Sequence, residues 1–122
     1  MRIAIVGAHP KTRPLAPFDD ARWQIWSCSP RNVGQLPRCD LWFEMHQIAA
    51  LRKDELSYLQ WLAFLPAVYM PSRYDDVPGS IEYPKQAMLD EFGPFFFTST
   101  IAWMMALALS RRPEAIGIFG VE

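Results

Sequence analysis

Cysteine is scarce in this chain. Cys28 and Cys39 are the only two, with no second pair at zinc-site spacing, so a disulfide framework and a structural zinc site are both set aside. Histidine is equally scarce: His9 and His46 are the only two, too few for a metal cluster even with Asp40 and Glu44 close to His46 in sequence. An excess of charge is missing too. Twelve Lys and Arg face thirteen Asp and Glu, a formal net charge of −1, which lacks the basic footprint of a nucleic-acid surface. The longest apolar run, Ile101 to Leu109, is far too short to cross a bilayer. Ile3 to Val6 is too short for the apolar centre of a signal peptide. The expectation is a cytoplasmic protein with reduced thiols, with no metal, membrane or nucleic acid among its partners. Glycine-rich phosphate loops are absent as well. Gly7 stands alone after the first apolar run, so neither GxGxxG nor a Walker A loop can be written there.

At 122 residues the chain is a single domain, residues 1–122, with enough length for one core. Five Trp and eight Phe are many for that length, and eleven Pro imply short elements and many loops.

Ile3-Ala-Ile-Val6 is apolar without alternation, as in a strand buried on both faces of a parallel sheet. Alternation of Trp23, Ile25 and Ser27 against Gln24, Trp26 and Cys28 places a strand near 23–28, and further apolar runs place strands near 40–44, 67–70 and 115–120. Helical spacing covers Ile48 to Phe64. Pro84 to Phe92 reads as a helix ended by Gly93, and Ile101 to Leu109 as a buried helix capped by the preceding Thr or Ser. Pro71 to Ser80 reads as a loop long enough to be a lid. Phe95 to Phe97 is apolar enough to dock into the core. This alternation predicts an α/β fold, a Rossmann-like parallel sheet flanked by helices.

In such sheets, ligands sit beyond the carboxyl ends of the strands. Residues there define the expected ligand site: Gly7, His9, Lys11 and Thr12 after the first strand, Ser29 and Asn32 after the second, Thr98 and Ser99 opening the late helix, and Glu122 after the last strand. Gly7 permits close backbone approach, Lys11 supplies charge, and a helix start supplies N–H groups for an anion. The expected ligand is a nucleotide phosphate held between the Gly7–Thr12 loop and Thr98-Ser99. His9 and His46 could act as acid or base, although loop histidines without that role are commoner. Cys28 reads as a buried inert thiol, and Asp75-Asp76 as a solvated turn rather than a Mg²⁺ seat. The residues identify no catalytic set and no cofactor.

Gly7-Ala-His-Pro-Lys11, Ser27-Cys-Ser29, Thr98-Ser-Thr100 and Gly120-Val-Glu122 follow in order a pattern that resembles the bacterial lipooligosaccharide sialyltransferases. In that family the segments read Gly-x-Gly-Pro-Ser, Cys-Asn, Thr-Ser-Gly and Gly-(Val/Ile)-Asp. A related pattern marks the 6-hydroxymethylpterin diphosphokinase-like Rossmannoid proteins, and the chain also resembles uncharacterised phage and prophage proteins. His9, Lys11, Ser29 and Thr100 depart from the sialyltransferase residues. The resemblance implies a nucleotide-binding domain of a nucleotide-sugar or nucleotide-diphosphate transferase. The alternative is a non-catalytic phage accessory or interaction protein that keeps the fold. In the sialyltransferases the catalytic His follows the last of these strands, so the expectation is an N-terminal part of a longer chain. The uncovered last strand then favours a homo-oligomer.

Overall fold

The computed structural model describes residues 1–95 and 97–122. Its strands are β1 (Arg2–Val6), β2 (Trp23–Cys28), β3 (Leu41–Phe43), β4 (Val68–Met70), β5 (Ser80–Glu82) and β6 (Ala115–Phe119). Its helices are α1 (Ile48–Asp54), α2 (Leu56–Leu62), α3 (Lys85–Phe92) and α4 (Thr100–Ser110). All strands are parallel, in the order β5-β4-β3-β2-β1-β6. The expected α/β sheet is therefore present, and Ile3 pairs with Ile116 in parallel as its pattern requires.

The two faces of the sheet are covered differently. Ile3, Ile5, Trp26 and Phe43 meet Met88 of α3 and Met104 and Leu107 of α4. On the other face, Trp42, Val68 and Met70 pack against Leu51, Leu59 and Leu62 from α1 and α2. Beside them, Ala4, Val6 and Ile25 are covered by Ala16 and Phe18 from the β1–β2 connection. That connection holds only a short 3-10 turn at Arg13–Leu15.

The structure departs from the expected elements in three places. The expected helix from Ile48 to Phe64 breaks at Glu55, whose backbone leaves the helical region at φ −137 and ψ 44. In an unbroken helix Glu55 would follow Leu51 by one turn and face the sheet with Tyr58 and Leu62. The break leaves Glu55 exposed while Leu51, Tyr58 and Leu62 stay buried.

The expected lid at Pro71 to Ser80 is a packed turn. Val77 is buried, the Ser80 hydroxyl accepts from Tyr74 N–H and donates to its carbonyl, and the segment runs into β5. That strand has no apolar run to mark it in the sequence, and its only large apolar residue, Ile81, faces solvent.

Of the Phe95–Phe97 docking segment, Phe97 stacks on Trp103 at 3.8 Å, Phe95 is 93% exposed, and Phe96 lies outside the described residues.

Cys28 is buried in the core, and burial, with a smaller contribution from Glu44, pushes its thiol up to about 12. The thiolate is the reacting form. In a Cys39→Ser background, Cys28 should label with a disulfide reagent at least about a hundredfold more slowly in the native protein than in urea. Equal rates would show that this part of the core opens freely.

Candidate functional site

The order of the strands fixes where a crevice is expected. The chain lays β1 to β5 side by side in one direction, then α4 carries it back to place β6 on the other side of β1. The reversal lies between β1 and β6, the usual ligand position in such sheets.

In this protein the chain itself closes that position. Gly7 N–H donates to the Phe119 carbonyl and His9 N–H to the Gly120 carbonyl, both at 2.8 Å. The Thr12 hydroxyl accepts from Gly120 N–H at 2.8 Å, and His9 Nε2 lies 3.3 Å from the Glu122 carboxylate. Gly7 does permit a close approach, but the approaching group is Gly120. A Cβ on Gly7 would stand 2.4 Å from the Gly120 carbonyl oxygen.

An open cleft lies further along the same edge, at the ends of β2 and β3. β2 gives way to Ser29, a non-glycine residue at φ 82, whose hydroxyl accepts from Arg31 N–H. Positive φ in a serine costs about 1–3 kcal/mol and persists where surrounding structure holds it.

β3 is followed by Glu44, whose N–H continues the pairing to the Tyr69 carbonyl. Strand alternation turns Glu44 to the face of Trp42. There its carboxylate is only 3% exposed, and one oxygen accepts His46 N–H at 2.9 Å and meets His46 Nδ1 at 2.7 Å. Behind it, the Trp42 indole N–H donates to the Tyr58 hydroxyl at 2.9 Å. Burial raises the Tyr58 phenol well above its ordinary range. The Glu44 carboxylate adds to that rise, by charge and as a hydrogen-bond partner. The network is thus buried at Trp42, Tyr58 and Glu44 and reaches solvent at His46.

Across the cleft stands the start of α4. Ser99 caps it, its hydroxyl accepting from Ala102 N–H at 3.3 Å, and the first-turn amides of Thr100 and Ile101 have no carbonyl to bond within the helix. Ser29, Glu44, His46, Ser99 and Thr100 line this cleft of about 260 Å³. A neighbouring cleft of about 240 Å³ shares Pro30, Glu44 and His46 with it and is bounded by Ala50, Leu51, Asp54 and Glu55.

The expected ligand residues thus divide into separate groups. Ser29 and Ser99 line the open cleft, while the exposed Thr98 does not line it. Gly7, His9, Thr12 and Glu122 are engaged around Gly120. Lys11 is exposed in their loop, its N–H donating to His9 Nδ1. No residue of the Gly7–Thr12 loop lines the cleft at the α4 start.

Asn32 faces inward instead of toward a ligand. It is 1% exposed, and its amide nitrogen donates to Ser27 Oγ at 2.9 Å, to the Cys28 carbonyl at 3.1 Å and to the Val6 carbonyl at 3.4 Å. Its oxygen accepts from Arg13. Asp76 pairs with Arg52, and Asp75 with Arg73.

Glu44 and Thr100 line the cleft without being among the residues expected there from the sequence. The available signal for Glu44 was a lone carboxylate in the apolar stretch Leu41-Trp-Phe-Glu-Met45, two residues before a histidine. No protein-family model, curated protein or solved structure matches this chain.

Proposed function

We propose that the domain binds a nucleotide at the ends of β2 and β3, as the binding unit of a nucleotide-sugar or nucleotide-diphosphate transferase. One observation carries this reading. Two clefts meet at Glu44 and His46 on the carboxyl edge of a parallel sheet, and one of them opens on the start of α4. The hydroxyls of Ser29, Ser99 and Thr100 and the amides of the first helical turn suit a phosphate. The second cleft offers an apolar wall at Ala50 and Leu51 and carboxylates at Asp54 and Glu55, which suit a base and ribose hydroxyls.

Calorimetry against nucleoside mono- and diphosphates tests the reading. At least one should bind, and Thr100→Val should weaken it about tenfold, the effect of losing one hydrogen bond to a charged group worth about 1.5 kcal/mol. Ser99→Ala should weaken it similarly, while Lys11→Ala should have no effect. Weakening by Lys11→Ala alone would move the phosphate to the Gly7–Thr12 loop.

A second reading, an interaction domain that keeps only the fold, is favoured by exposed Phe64 and Leu56 along a groove on α2 and by Ile118 on the edge strand β6. It takes over if no nucleotide binds.

A further inference from the structure

We infer, resting on the nucleotide reading above, that His46 is a catalytic base that hydrolyses the terminal phosphate of a nucleoside diphosphate, with Glu44 as its positioning residue. The Glu44–His46 geometry is more than a turn needs. The bond from His46 N–H to the Glu44 carboxylate would close the turn by itself. The same oxygen also lies 2.7 Å from Nδ1. An ionised carboxylate can only accept there, so the tautomer this contact favours carries its proton on Nδ1 and leaves the lone pair at Nε2.

The carboxylate that fixes the ring is buried against Tyr58, whereas the His46 side chain is 72% exposed and lines both clefts. A held carboxylate, a ring oriented through Nδ1 and an accessible Nε2 make the orienter–base arrangement of enzymes that activate hydroxyl nucleophiles. The hydroxyls of Ser29, Ser99 and Thr100 line the cleft with it, so a phosphate seated on the α4 start shares the cleft with the base.

The step balances with water as nucleophile. An O–H bond of water breaks as its proton binds Nε2, and the oxygen's electron pair forms a new bond to the terminal phosphorus. The bridging P–O bond breaks, its electron pair leaving on the nucleoside monophosphate, and inorganic phosphate departs. During the step Glu44 keeps its contact with Nδ1 of the ring. His46 then returns its proton to solvent.

The test uses the 122-residue chain with ADP, GDP, CDP and UDP, in the presence of Mg²⁺, following phosphate release alongside calorimetric binding. At least one diphosphate should be hydrolysed. His46→Ala should lower turnover at least about a hundredfold, the usual worth of a positioned base, while the dissociation constant changes less than about threefold. Added imidazole should restore part of that loss, a response that a structural role for His46 would not give. Glu44→Gln, which keeps the shape of the side chain, should lower kcat about tenfold or more with little change in KM. If Glu44→Gln does not fold, the exposed His46 still carries the test.

Binding without hydrolysis, or hydrolysis that survives His46→Ala, overturns the catalytic assignment and leaves the binding reading intact. Absence of binding by all four diphosphates overturns the catalytic assignment, and the binding reading falls as well only if the monophosphates also fail to bind.

Discussion

Replacing Asn32 by aspartate should lower stability by about 4 kcal/mol at neutral pH, because it puts a buried charge where a donor is needed. With a urea m-value of about 2 kcal/mol/M, the unfolding midpoint should fall by roughly 2 M. The Asn32 amide nitrogen is shared by the Val6 carbonyl, the Cys28 carbonyl and Ser27 Oγ, so it ties the end of β1 to the end of β2. A carboxylate offers those carbonyls no donor and repels them, and Arg13, near the amide oxygen at 3.2 Å, offsets only part of the cost.

The pH dependence has a definite sign. Burial raises the folded-state pKa of the introduced carboxyl above its unfolded value of about 4. The penalty is therefore full above the folded pKa and fades as pH falls toward the unfolded value. Asn32→Ala, without the charge, should cost about 2–3 kcal/mol with no such pH dependence. Identical urea midpoints for parent and Asn32→Asp at pH 7 would rule out Asn32 as the tie between the strands.

Gly120→Ala should be nearly as damaging, costing about 3 kcal/mol and lowering the thermal midpoint by about 10 °C for a domain of this size. Two costs combine there. Gly120 sits at φ +67, and an added Cβ would stand 2.3 Å from the Gly7 carbonyl oxygen and 2.7 Å from its carbon, both backbone atoms that cannot swing aside. Gly34 and Gly93 separate the two costs, since each has positive φ with nothing within 4 Å of an added Cβ. Alanine at either should cost only about 1 kcal/mol. Three equal losses by differential scanning calorimetry would mean that the contact with Gly7 contributes nothing.

Gly7 also shows how far the sequence could be read. A single glycine after an uncharged apolar run marks a close approach, and the structure contains one. The group that approaches comes from the other end of the chain, more than a hundred residues later, and no local pattern names it.

The interior strands were legible for a related reason. β1 and β2 have neighbours on both edges and cover on both faces, so Ile3 to Val6 and Ile25 to Cys28 are buried without alternation. The edge strand β5, three residues long and mostly exposed, left no such trace. Glu44 was illegible as a site residue because its burial depends on Tyr58 and Trp42, brought together only when α2 folds onto the sheet. The helix break at Glu55 was legible in principle, since an unbroken helix would have turned a carboxylate into the core.

The strand order has a consequence for how the protein is made. β1 to β5 are each laid beside the strand just completed, so that side of the sheet can assemble as the chain leaves the ribosome. The other edge of β1 must wait for β6, whose residues follow those of β1 by most of the chain. At about 5–20 residues per second, that wait is roughly 5–20 s. Throughout it, the backbone of Ile3 to Val6 presents an unpaired, uncharged edge to any other nascent strand, and the Gly7–Thr12 loop lacks the Gly120 backbone that later holds it. Aggregation during synthesis should therefore start from β1, and a chaperone that shields the first ten residues would protect the chain until β6 emerges.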